Sequence, residues 1–204
     1  MKKILLDWNG VIARENDLFK NITEKSLNPN YKYESSDSWD NIRKIGTINY
    51  FSKIEKFFFD YQTIYDGAKE FINKTYSKNE NSEYSNYIIY DNKPKINLTI
   101  DQIIFNLSKN LVQLGYYSNG IYVDSDKIKM AKIIGVDFII DDDPRIVIAG
   151  AYSGIKSILM LRKWNSMFSF DNLKMTTQKD KYEKIIENAF IAEDFYECSQ
   201  IIKS

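Results

Sequence analysis

Residues 2–13, KKILLDWNGVIA, constrain this chain more than any other stretch. Ile4, Leu5 and Leu6 form an apolar run that stops at Asp7; Trp8, Asn9 and Gly10 signal a turn; Val11 and Ile12 resume the apolar character. A short apolar run bounded by a turn fits a strand buried on both faces, as in a parallel sheet. Asp7 then stands at the carboxyl end of the strand, where open α/β sheets hold their ligands. A carboxylate there is a nucleophile, a metal ligand or simply the start of a turn.

The rest of the chain alternates in a way that supports such a sheet. Residues 14–64 are polar and aromatic and rich in Asn, Lys and Tyr, with helical spacing over 49–61. We read them as a small, mainly helical insert after the first strand. Residues 68–76 form a short amphipathic helix with Phe71 and Ile72 inward. A polar loop over 77–87 leads to an extra strand over 87–90. Residues 96–99, INLT, read as a strand ending in a hydroxyl, followed by a helix over 100–114 that Gly115 closes. A strand over 121–123, a helix over 127–134 capped by Asp124, Ser125 or Asp126, and a strand over 136–140 come next. That strand runs into Asp141-Asp142-Asp143-Pro144. A helix over 146–153, a strand over 155–161 and one or two terminal helices over 181–202 complete the chain. Strands alternating with helices imply an α/β, Rossmann-like, mostly parallel sheet with helices on both faces. The core is expected over 1–13 and 65–204, interrupted by the insert.

Composition narrows the chemistry. The 204 residues contain no histidine and one cysteine, Cys198. This removes Ser-His-Asp and Cys-His catalysis, imidazole zinc sites and any intramolecular disulfide. A metal must be held mainly by oxygen, which favours Mg²⁺. Lys+Arg and Asp+Glu balance at 28 each, so a general nucleic-acid partner is not expected. No apolar run approaches the roughly 20 residues that span a bilayer, so no membrane partner is expected. The N-terminus does not read as a secretory signal, and the lone cysteine suits a cytoplasmic location.

LLDWNGV at 5–11, INLT at 96–99, Lys127 and FIIDDDP at 138–144 together resemble the haloacid dehalogenase-like hydrolase superfamily, and GAKEF at 67–71, GIKSIL at 154–159 and WN at 164–165 agree in order. The position of the insert matches the cap domain of that superfamily. Within it, the cap position, DDDP and the WN end look most like 5′(3′)-deoxyribonucleotidase-type phosphatases. The resemblance implies a Mg²⁺-dependent phosphohydrolase acting on a small phosphomonoester, such as a nucleotide, through an aspartyl-phosphate. The backbone carbonyl of Asn9 is implied as a further metal ligand.

Each residue has chemistry suited to that role. The Asp7 carboxylate can attack phosphorus, splitting hydrolysis into two easier steps. Asp7, Asp141 and Asp142 can hold the cation that neutralises charge between carboxylate and phosphate. Asp143 is expected outward or as a cap. Thr99 can donate to a phosphoryl oxygen, with Ser118 the competing hydroxyl and helix capping the competing role. Lys127 can neutralise the transferring group, with Lys129 and Lys132 as competitors. Backbone N–H groups around Trp8 to Gly10 can cradle an anion, and Trp8 either touches substrate or packs. Asn9 departs from the resemblance. In most of these phosphatases this position carries an Asp that serves as general acid and base, which an amide cannot do. The alternative reading is therefore a catalytically weakened protein that binds a phosphorylated ligand or a protein partner. The sequence leaves the oligomeric state open.

Overall fold

The computed structural model describes residues 1–14, 63–79, 81–91 and 99–204. Among the described residues eight strands run in chain order as β1 (Lys2–Asp7), β2 (Ala13–Arg14), β3 (Thr63–Ile64), β4 (Tyr84–Tyr90), β5 (Gly120–Val123), β6 (Phe138–Asp141), β7 (Lys156–Met160) and β8 (Ala189–Ala192). The α-helices are α1 (Ala68–Thr75), α2 (Ile100–Leu114), α3 (Lys127–Ile134), α4 (Pro144–Tyr152), α5 (Lys179–Asn188) and α6 (Phe195–Ile201). Six strands form one sheet in the order β5-β4-β1-β6-β7-β8, and every pairing in it is parallel. The expected α/β Rossmann-like architecture is the one observed.

The pleat of β1 explains how the two helical layers attach. Ile4 and Leu6 face one side, where they pack with α1, α2 and α6 through Phe71, Ile72, Ile103, Leu107, Phe195 and Cys198. Leu5 faces the other side, with Ile89, Ile139 and Ala131 against α3 and α4. Alternate residues of a strand point to opposite faces, so a run apolar at every position is what a central strand needs. Cys198 is fully buried there and burial pushes its thiol up to about 12, so it serves as a small apolar side chain.

Several expectations change. The strand beside β1 is β4, which starts at Tyr84 rather than at 87 and is a central member of the sheet. Part of its polar beginning is tied to the helical layer: Asn86 Nδ2 donates to Ile72 O (2.7 Å) and Thr75 Oγ1 (3.2 Å), linking α1 to the sheet. Residues 92–98, which include most of the expected INLT strand, lie outside the described residues. Thr99 is the N-cap of α2. Strand β8 interrupts what the periodicity reads as terminal helices. The helical insert expected over 14–64 falls almost wholly outside the described residues. Its two flanks are strand, because β2 pairs antiparallel with β3, so the chain departs from the core and rejoins it at one point. Among the described residues no helix is long and apolar enough to cross a membrane.

The approach of α4 to the sheet depends on a residue without a side chain. A Cβ on Gly150 would lie 2.4 Å from Ser157 Oγ and 3.2 Å from Ile139 Cδ1. We predict that Gly150→Ala costs about 1–3 kcal/mol by overpacking, and that the cost shrinks in a Ser157→Ala background. Urea titrations of both pairs check this; an equal cost in the two backgrounds contradicts it.

Candidate active site

The sheet order places one gap apart from the others. From β1 the chain moves outward to β4 and β5, then crosses back to β6 and outward to β7 and β8. The β1–β6 gap is thus the topological switch point, where the carboxyl ends of the strands open a crevice. Ile4 pairs with Phe138, Leu5 with Ile139 and Leu6 with Ile140. One residue further along that register, Asp7 comes beside Asp141. Leu5 and Ile139 face α3 and α4, so Asp7 and Asp141, each two residues on, face the same way. Helix α3 begins on that face with Lys127. Its start is fixed by Asp126, whose side chain accepts from the Lys129 N–H.

Lys127 Nζ lies 2.7 Å from Asp7 Oδ2 and 2.8 Å from Asp141 Oδ2, and the three side chains are only 6%, 5% and 1% exposed. Lys129 and Lys132 are exposed on the same helix, so of these three lysines it is Lys127 that the structure places against the aspartates. Asp142 follows directly, and oxygens of Asp7, Asp141 and Asp142 all lie within 4.8 Å of one another. Gly10 makes that approach possible. Its φ is +76°, and a Cβ there would fall 2.1 Å from Asp142 Oδ2. Asp143 turns away, as expected: it caps α4 through the Arg145 N–H and pairs with the Arg145 guanidinium.

Electrostatics follow from three carboxylates around one ammonium. Burial pushes the Asp7 carboxyl well above the usual range; Lys127 opposes this, while Asp141 and Asp142 add to it. Burial raises Asp141 as well, against the pull of Lys127 and the Asp143 N–H. Burial alone would lower Lys127, but Asp141 and Asp7 hold its ammonium well above the ordinary lysine value. Burial also acts to raise Asp143, yet the Arg145 side chain and N–H hold it below the usual range.

The site fits a hard divalent cation. Its donors are all oxygen, the negative charge exceeds the positive, and Asp7 Oδ1 is buried without a hydrogen-bond partner among the described residues. A buried carboxylate oxygen with no partner is costly unless something else binds it.

Other expected site residues are placed differently. The Trp8 ring is fully buried in the core, and the Trp8 backbone N–H donates to Ile89 O (2.9 Å). The Gly10 N–H donates to Ala13 O (2.9 Å). Neither amide is available to cradle an anion, because strand β4 takes the first and the turn itself the second. Asn9 is half-buried and bridges to Ala13. Thr99 is exposed and engaged in a capping box: its hydroxyl accepts from the Gln102 N–H while Gln102 Oε1 accepts from the Thr99 N–H. Ser118 precedes β5, at the opposite end of that strand from the acidic edge, and donates to Gly120 O (2.8 Å). Neither hydroxyl takes the expected phosphate role on this geometry. Two residues of the loop after β7 carry site contacts, Trp164 of the WN pair and Arg162, and the sequence did not signal Arg162. Trp164 Nε1 donates to Asp142 Oδ2 (3.0 Å), and Arg162 reaches the Gly10 carbonyl (2.6 Å). A lone arginine two residues past a strand has no periodic or motif signature.

No protein-family model and no curated protein matches the chain. Solved structures do. A haloacid dehalogenase-like protein of unknown function from Agrobacterium tumefaciens aligns with TM-score 0.56 at 13% identity, covering 100% of this chain and 98% of that one. A hydrolase of the same superfamily from Deinococcus radiodurans, with bound phosphate and sodium, aligns with TM-score 0.53 at 11% identity over 97% and 93%. A haloacid dehalogenase-like family hydrolase from Xanthomonas campestris gives 0.51 at 10% identity over 100% and 95%. The chain therefore shares the fold of haloacid dehalogenase-like hydrolases.

The raised carboxyls have a stability consequence in the metal-free protein. A carboxyl whose folded pKa exceeds its unfolded value binds more protons when folded, so its contribution falls as pH rises from about 4 through the raised value. Asp7→Asn removes one such group. We predict a higher metal-free Tm for Asp7→Asn at pH 7, with the gain over wild type shrinking toward pH 4. Thermal melts in chelator across that range check it; a lower Tm with no pH trend contradicts it.

Proposed function

We propose that this protein is a Mg²⁺-dependent phosphohydrolase acting on a small phosphomonoester, with Asp7 as nucleophile. The observation that carries this is Asp7 Oδ1, a buried carboxylate oxygen without a hydrogen-bond partner among the described residues, at the sheet's switch point and inside an acidic cluster. Asp7, Asp141 and Asp142 hold the cation, with the Asn9 carbonyl completing the set as in the resemblance. When bound, Mg²⁺ neutralises charge between the carboxylate and the phosphoryl oxygens. Asp7 attacks phosphorus, the ester oxygen departs with the alcohol, and water then cleaves the aspartyl-phosphate to inorganic phosphate. Lys127 keeps Asp7 oriented and offsets charge on the transferring group. The segment between β2 and β3 acts as the cap and selects the substrate; nucleotides are the first class to screen.

A second reading rests on Asn9. Positioned proton transfer is typically worth about 10²–10⁴-fold, and an amide cannot supply it. On this reading the site binds a phosphorylated ligand or a partner and turns over slowly. Asn9→Asp separates the two: a large gain in turnover supports the weakened site, and an unchanged or lower rate supports a site suited to its own substrate.

Hydrolysis of a chromogenic aryl phosphate tests the principal reading, since its good leaving group needs little protonation. Activity should require Mg²⁺ and fall at least about 10³-fold in Asp7→Asn. Rates equal with and without Mg²⁺, or retained in Asp7→Asn, contradict it.

A further inference from the structure

The loop after β7 touches both halves of the acidic site. Arg162 Nε donates to Gly10 O (2.6 Å) and its Nη2 donates to Val11 O (3.0 Å), while Nη1 donates to its neighbour Leu161 O (3.0 Å). Its guanidinium stacks on Tyr65, 3.7 Å from the ring centroid. Tyr65 is itself fixed to the same turn, since its N–H donates to Ile12 O (3.0 Å). Three residues on, Asn165 is buried and works in the other direction. Its Oδ1 accepts from the Arg162 N–H (2.6 Å), and its Nδ2 donates to Asp142 O (2.8 Å) and Met160 O (3.1 Å). Between them, Trp164 Nε1 donates to the Asp142 carboxylate (3.0 Å).

These contacts form a bracket. The turn that follows Asp7 is held by Arg162 through two adjacent carbonyls. The acidic loop that follows β6 is held by Trp164 and Asn165 through the side chain and backbone of Asp142. The two loops meet where Gly10 presses on the Asp142 carboxylate with no room for a Cβ. The loop after β7 contacts both sides of that approach. A planar fork suits this task in a way an ammonium does not, because it reaches two carbonyls in fixed directions while stacking on an aromatic ring.

We propose that Arg162 and Trp164 are positioning residues that set the spacing of Asp7 and Asp142 for cation binding; this rests on the metal-dependent reading given above. They touch neither cation nor substrate. They act through the Gly10 carbonyl and the Asp142 carboxylate, as outer-shell partners of metal ligands do.

The test uses the full chain with Mn²⁺ as probe, read by electron paramagnetic resonance, alongside metal-free thermal melts and hydrogen exchange. Trp164→Phe deletes one N–H and keeps the ring; Arg162→Lys keeps the charge and loses the fork. Each is expected to weaken Mn²⁺ binding about 10- to 100-fold with metal-free Tm near wild type. Wild-type affinity in both variants, with or without a lowered Tm, overturns the proposal, since a merely structural role moves Tm and leaves affinity intact. If wild-type protein binds no Mn²⁺, the metal-dependent function falls, and hydrogen exchange judges the bracket separately. Arg162→Lys should then speed exchange of the Ile12 and Ala13 amides, which donate to Trp8 O, while β4 stays protected. Unchanged exchange at those amides overturns the bracket.

Discussion

The buried contact of Lys127 with Asp7 and Asp141 is the interaction on which the rest of this structure depends. Removing charges from water is costly, and a buried ion pair is weak evidence for stability. Here the balance is worse than a simple pair, because Asp142 brings a third carboxylate to a single ammonium. Every element around the site serves to hold this arrangement. The β1–β6 register puts the two aspartates side by side, the pleat turns them to one face, and the capped start of α3 delivers the lysine to that face. An arrangement that burial disfavours, held by so much of the sheet, fits binding and chemistry better than stability.

Much of this was legible in the sequence, for a physical reason. Apolar runs ending in acid are what a parallel central strand with a polar carboxyl end requires, so Asp7 and Asp141-Asp142 could be read directly. Gly115 and Asp126 mark helix ends by local backbone chemistry, and both lie where they were expected. Lys127 followed from its place at a helix start before the acidic strand.

What was not legible depends on partners remote in sequence. Strand β4 opens with Tyr84, Ser85 and Asn86, a polar start that reads as loop, and the Asn86 side-chain N–H groups find their acceptors in α1. Strand β8 is four residues long and lies between two helices, too short for a period to declare itself. Thr99 offered two roles that local sequence cannot separate, and Gln102 completes the capping one. The amides of Trp8 and Gly10 looked available because sequence shows donors and not their acceptors. Arg162 is the clearest case: its three carbonyl partners include two about 150 positions away, at Gly10 and Val11.

On the proposed function, Asp7 is a nucleophile primed for phosphorus beside a bound cation. Fluorine NMR with beryllofluoride, a mimic of a phosphoryl group on a carboxylate, addresses it without any knowledge of the substrate. A primed Asp7 gives protein-bound fluorine resonances that need Mg²⁺ and disappear in Asp7→Asn. Absence of bound resonances from the wild-type protein with Mg²⁺ present, or their persistence in Asp7→Asn, would contradict it.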